Sequence, residues 1–205
     1  QPNLQPNEFA STVTNSYFPL TVGLTYTYRK VVGTDVEEIV VTTDPGSKNV
    51  NGIDCAIVRD TVRLNGSLIE DTFDWYAQRN DGSVWYLGEI SFSFDEDGFV
   101  ESIDGSWRYG VDQALPGIVM LANPQVGDAY RQEYLIGEAE DVARVIAVGV
   151  SVTVAAGTFH NCIVTQDWVP LDPDGNEHKY YAPGVGMVLE VDPDNGERTE
   201  LISIQ

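Results

Sequence analysis

The residues of this chain best equipped for chemistry are acids set among aromatics. Glu70, Asp71, Asp74 and Glu89 surround Trp75-Tyr76 and Trp85-Tyr86, while Arg131 precedes Glu133, Glu138, Glu140 and Asp141. Two carboxylates whose pKa values are pushed apart can serve as general acid and base, as in glycoside cleavage. On that reading Asp74, Glu89 and Glu133 are candidate catalytic groups, with His178 or a tyrosine as partner. In a chain with 32 acidic residues, neighbouring carboxylates also arise by chance. The aromatics offer a second chemistry. Trp75, Tyr76, Trp85, Tyr86, Trp107, Tyr180 and Tyr181, with Arg131, are candidates to line a platform for a sugar or a hydrophobe, or else form a plain aromatic core.

Oxygen-rich turns offer a third. Asp95-Glu96-Asp97-Gly98, Asp172-Pro173-Asp174-Gly175 and Asp192-Pro193-Asp194-Asn195-Gly196 pair acids ahead of glycine. Such turns can hold calcium, and Asp172, Asp174, Asn176 and Glu177 form the best set, although no loop has the full twelve-residue pattern. The same residues are ordinary turn formers. There are two histidines, His160 and His178. With Cys162 they would make three ligands for zinc or copper, or they are simply strand residues. No Gly-x-Ser-x-Gly or His-Glu-x-x-His pattern occurs.

The formal net charge is −21. A field of that sign repels phosphate backbones, and the few cations are scattered, so nucleic-acid binding is excluded. No apolar run approaches the length of a membrane span. The start, Gln1-Pro2-Asn3, reads as a mature end after signal-peptide removal, so a secreted or periplasmic protein is expected. Cys55 and Cys162 permit one disulfide or two buried thiols.

These residues sit in period-2 patterns. Strands are expected over 24–32, 36–43, 53–64, 68–78, 83–93, 99–103, 129–136, 142–154, 159–169, 177–182, 187–192 and 198–204. Asn51-Gly52, Asn65-Gly66, Asn80-Asp81-Gly82, Asp97-Gly98, Asp174-Gly175 and Asn195-Gly196 supply tight turns between them. The run from Glu138 to Ala147 has an acidic start that would suit a helix, but its valines continue into alternation and favour a strand. Residues 106–128, rich in Gly and Pro, read as a long packed loop. Alternation places Trp75 and Trp85 on one face of a hairpin, Asp74, Tyr76 and Gln78 on the other, and Arg131 beside Glu133 on one side. The expected fold is all-β: an antiparallel meander closing into a barrel or strongly curved half-barrel. Residues 1–16 are expected as a flexible arm and 17–205 as one domain.

Tyr180-Tyr181-Ala182-Pro183-Gly184-Val185-Gly186-Met187-Val188 resembles a Tyr-Tyr-x-Pro-Gly-Val-Gly-x-Val signature of secreted or periplasmic bacterial β-proteins, some of them LolA-like. Ala155-Ala156-Gly157-Thr158-Phe159 and Tyr17-Phe18-Pro19-Leu20 resemble other segments of the same proteins. That resemblance implies a curved sheet around an apolar cavity and the carriage of a lipid or another hydrophobe. The function expected is therefore non-catalytic binding of a small or lipid-like ligand in an aromatic and polar cavity. The alternatives are a carboxylate enzyme working in that cavity and a calcium-stabilised structural or surface-assembly protein.

Overall fold

The computed structural model describes residues 4–170 and 172–205, with side chains for all of these except 172–175. The chain is all-β, a nearly closed antiparallel barrel, as its alternation predicts. Thirteen strands carry the argument: β1 (Thr25–Val32), β2 (Asp35–Thr43), β3 (Ile53–Leu64), β4 (Ser67–Arg79), β5 (Val84–Phe94), β6 (Leu115–Met120), β7 (Ala129–Arg131), β8 (Glu133–Tyr134), β9 (Val142–Val154), β10 (Gly157–Val169), β11 (Asp172–Ala182), β12 (Gly186–Val191) and β13 (Arg198–Ile204). From β1 to β5 each strand pairs with the next, and so does each from β9 to β13. β13 returns to pair with β1. The turn glycines work as their neighbours suggest: Asn65 and Gly66 both take positive φ, 51° and 91°, which a two-residue hairpin needs.

The remaining join is narrow. β6 pairs with β5 on one side and with β8 on the other, while β7 pairs with β9. Residues 129–134 thus bond one edge through β7 and the other through β8, switching at Gln132, whose N–H donates to the Asp141 carbonyl (2.8 Å). The strand expected over 129–136 is broken here, and the break flips the parity of the residues beyond it. Gly117 permits the crossing. A Cβ there would lie 2.0 Å from the Gln132 carbonyl oxygen and 2.6 Å from that of Arg131. The loop expected over 106–128 is instead part of the wall, since it contains β6 and a short strand, Trp107–Arg108, paired with β5.

The arm is fastened over its described residues. Phe9–Ala10 pairs with β4 at Arg79 and Gln78. A small hairpin of Val13–Asn15 with Phe18–Leu20 folds over one end of the barrel. Gln78 Oε1 accepts from the Thr14 and Asn15 N–H groups (2.6 and 2.9 Å), and the Asn15 side-chain amide donates to the Gly82 and Leu121 carbonyls. The Gly184 N–H donates to the Ser16 carbonyl (2.7 Å), so the Pro183-Gly184-Val185-Gly186 turn holds this cap.

Two cores result. The inner one joins Val13, Ala56, Val58, Tyr76, Val84, Tyr86, Trp107, Met120, Ile163 and Tyr181. The second lies on the outer face of β3–β5, where Cys55, Trp75, Ala77, Trp85 and Leu87 are covered by Leu4, Phe9 and Val50. Cys162 packs in a third cluster with Tyr26, Leu189 and Leu201, so the cysteines are separate buried thiols and form no disulfide. Burial pushes the Cys55 thiol up to about 12, which leaves it unreactive.

Replacing Gly117 with Ala drives a methyl group into backbone rather than into a movable side chain. Urea unfolding is expected to show a loss of about 2–3 kcal/mol or more. A loss below about 0.5 kcal/mol, the range of an ordinary surface change, would show that the seam is not tight.

Candidate ligand cavity

Inside the barrel is a cavity of about 370 Å³. Its wall has a direction. Along β3 the inward side chains run Ala56, Val58, Asp60, and along β4 Tyr76, Asp74, Thr72. Along β11 they run Tyr181, Lys179, Glu177, and along β12 Met187 and then Glu190. Each series starts apolar or aromatic at the capped end and becomes polar or charged away from it. Phe18, Pro19 and Leu20 of the cap close the apolar end, and the Phe18 ring meets Tyr76 edge-on at 5.1 Å.

The acidic part is built around hydroxyls and one cation. The Tyr86 hydroxyl donates a short hydrogen bond to Asp74 Oδ1, and its ring stacks on Tyr76 at 4.6 Å with Trp107 edge-on at 5.2 Å. Asp74 and Glu89 are opposite one another in the β4–β5 register. Glu133 and Asp141 enter from the seam. Lys179 Nζ lies 3.2 Å from Glu177 and 3.7 Å from both Asp167 and Glu190. The Gln132 side-chain amide donates to Asp167 Oδ2 (3.1 Å). Several buried polar atoms in or beside this wall have no hydrogen-bond partner among the described residues: Asp60 Oδ1, Asp167 Oδ1, Thr165 Oγ1 and the Tyr130 hydroxyl. Such orphans typically cost about 1–3 kcal/mol each.

The low-polarity surroundings disfavour the charged carboxylates. Burial, reinforced by the charges of Asp74 and Glu70, raises Asp60 to about 8. Burial raises Asp74 to about 7 against the Tyr86 hydrogen bond, and burial with the Asp74 charge raises Glu89 to about 8. Glu133, Asp141 and Glu190 are shifted upward too, each chiefly by burial. Burial opposes the charge of Lys179, but Asp167, Glu190 and Glu177 outweigh it and hold the ammonium well above its ordinary range. Burial thus favours the protonated form of these carboxyls and the neutral form of the tyrosines, beside one charged lysine.

The chain matches no known protein-family model, curated protein or solved structure.

Of the residues singled out in the sequence, Asp74, Tyr76, Tyr86, Glu133 and Tyr181 line the cavity, and Glu89 and Trp107 pack behind Tyr86. Trp75 and Trp85 point the other way, into the outer core. Alternation put them on one face, but only the covering arm makes that face dry. Arg131 is exposed, its guanidinium 4.4 Å from the Tyr134 ring centre, because the break at Gln132 separates it from Glu133. Tyr180 packs in the third cluster, opposite Leu189. His178 lies on the opposite side of β11 from Lys179, between Gln166 and Val191, away from the carboxyls. The side chains of Asp172 and Asp174 lie outside the described residues. Asn176 accepts from Gln166, and Glu177 pairs with Lys179. Among the described residues no three His, Cys, Asp or Glu side chains are grouped to hold a metal ion. Sequence reasoning missed Asp60, Lys179 and Glu190. For Asp60 the signal was a charge that follows Ala56 and Val58 on one face of β3.

The raised carboxyls bind protons more tightly in the folded chain than in the unfolded one, where they titrate near 4. The folded state therefore holds more protons between about pH 4 and 8, and stability falls as pH rises through that window. Calorimetry is expected to show Tm falling from pH 5 to pH 9, with a shallower fall in Asp60→Asn and in Glu133→Gln. Slopes matching the parent in both variants would refute this assignment of the protons.

Proposed function

We propose that this protein binds a small ligand with an apolar body and a polar end inside its barrel, without converting it. The observation that carries the reading is the one-way polarity of the cavity wall, from Phe18, Leu20, Val41 and Met187 to Asp60, Asp74, Glu133 and Glu190. A volume of about 370 Å³ falls in the range of small-molecule sites. The LolA-like resemblance of the Tyr-Tyr-Ala-Pro-Gly-Val-Gly segment supports carriage of a hydrophobe. The acidity of the chain supports an extracytoplasmic setting as part of the same proposal.

Catalysis by the carboxyls is the weaker reading. Acid–base pairs work when their environments drive two pKa values apart, leaving one group protonated and the other ionised. Here the resolved shifts of the cavity carboxyls all run upward. His178, the expected partner, is turned away. Among the described residues no helix is long and apolar enough to cross a membrane.

Native mass spectrometry of protein purified from its source is expected to show a bound small molecule. Calorimetric titration with 1-octanol, which offers an eight-carbon body and one hydroxyl, is expected to show one saturable site. Val41→Trp, which fills the apolar end, should weaken that binding at least about ten-fold. Unchanged affinity in the filled variant would place the probe elsewhere and refute the reading.

A further inference from the structure

We propose that the ligand is an organic cation, an alkylammonium whose charged head lies among Asp60, Asp74, Glu133 and Asp141 while its apolar body lies under the hairpin cap. This rests on the cavity reading above and names its substrate class.

Three features of the wall converge on a positive head group. The first is an unanswered acceptor. Asp60 Oδ1 is buried in the cavity wall with no hydrogen-bond donor facing it among the described residues. Asp167, 5% exposed, has a second such oxygen deeper in the same interior, even though Lys179 and Gln132 approach its carboxylate. An N–H-bearing cation in the cavity supplies the donor that Asp60 lacks, and the one ammonium already there, Lys179, is matched by Asp167, Glu177 and Glu190. The second is aromatic. Tyr26, Tyr28, Tyr76, Tyr86 and Tyr181 all contribute to the wall, and burial keeps them neutral. Neutral aromatic side chains beside carboxyls suit the apolar part of an alkylammonium and add no positive charge against its head.

The third is the approach. Away from the cap, a smaller cavity of about 80 Å³ is lined by Lys30, Glu177, Glu190, Asp192 and Glu197, and it shares Glu190 and Thr199 with the main one. Lys30 is tied to Glu197 (3.1 Å) and Lys179 to Glu177 (3.2 Å), so acids remain in excess along this route. A cation is drawn in and an anion repelled. The carboxyls are spread along a wall rather than gathered at one point, and no group of three suits a metal ion among the described residues. That spacing fits a diffuse organic cation better than a compact inorganic one.

Binding must also exchange charge. Burial favours the protonated forms of Asp60, Asp74, Glu133 and Asp141, and a cation placed among them stabilises the ionised forms. Protons therefore leave as the ammonium enters, and affinity rises with pH from about 5.5 to 8. The carboxyls release the protons and the ligand keeps its own, so charge balances with no other reactant.

The test is titration calorimetry of the full chain with three probes of equal length: n-octylammonium, 1-octanol and octanoate. At pH 8 the ammonium should bind at least about ten-fold more tightly than the alcohol, and octanoate should bind weakest. The ammonium's advantage should shrink at pH 5.5. Repeating the titration near pH 7 in two buffers of different ionisation enthalpy should show proton release on binding the ammonium and none on binding the alcohol. Asp60→Asn should weaken the ammonium about ten-fold while leaving 1-octanol within about two-fold. Equal or tighter binding of 1-octanol or octanoate in the parent protein would overturn the cation assignment and leave the cavity reading standing. Binding of none of the three would overturn both. The parent comparison needs no variant, so misfolding of Asp60→Asn cannot shelter the proposal.

Discussion

The closure of the sheet at residues 129–134 is the constraint on which the rest depends. A ring of backbone hydrogen bonds has no edge to satisfy and excludes water from its interior. Here that ring passes through β7 and β8, which together span six residues and bond opposite edges on either side of Gln132. The contact of Gly117 with the Gln132 carbonyl is what lets the two edges approach. Opened there, the barrel would become a curved sheet with a wet concave face. Asp60, Asp74 and Glu89 would then lose the burial that raises them. The seam is thus a structural feature with a direct electrostatic consequence.

The two ends of the barrel differ because of how each is plugged. The cap brings Val13, Phe18 and Leu20 onto the rings of Tyr76 and Tyr86 and makes that end apolar. Its anchor is polar: Gln78 accepts from two successive backbone N–H groups, and Asn15 answers two loop carbonyls. Among the described residues nothing comparable covers the other end, where acids surround Lys30 and Lys179. Tyr86 stands at the boundary, with one face on Tyr76 and a hydroxyl on Asp74. The apolar and the charged parts of the interior are therefore separated along one axis.

The strands were largely legible because their signals are local. Valine-rich alternation and Asn-Gly turns locate β1–β5 and β9–β13 to within a few residues, apart from the start of β11. The arm and residues 106–128 were not legible. They pair because of what lies beside them in space, and their own sequence is that of loops. The site was half legible for a related reason. Period-2 patterning separates the Trp75 face from the Tyr76 face but does not say which is inside, since here both are dry. The break at Gln132, which parts Arg131 from Glu133, has no local sequence mark. It arises from the Asp141 carbonyl across the seam. Asp60 and Glu190 sit in strands whose inward face is set only by the curvature of the barrel.

The net charge of −21 is thus two populations with different physics. Acids on the outer turns are solvated and cost little to carry. Those inside are expensive, because a buried carboxyl loses hydration that its neighbours only partly replace. Composition does not force this arrangement. The same three strands, β3, β4 and β5, present Cys55, Trp75, Ala77, Trp85 and Leu87 on their outer faces and build a dry core there. Strands able to pack one face with apolar side chains place Asp60, Asp74 and Glu89 on the other, around a cavity rather than in a filled core. A filled apolar interior would stabilise the fold better, so core stability alone does not account for these acids. Part of their cost is relieved by protonation, which the upward shifts of Asp60, Asp74 and Glu89 favour.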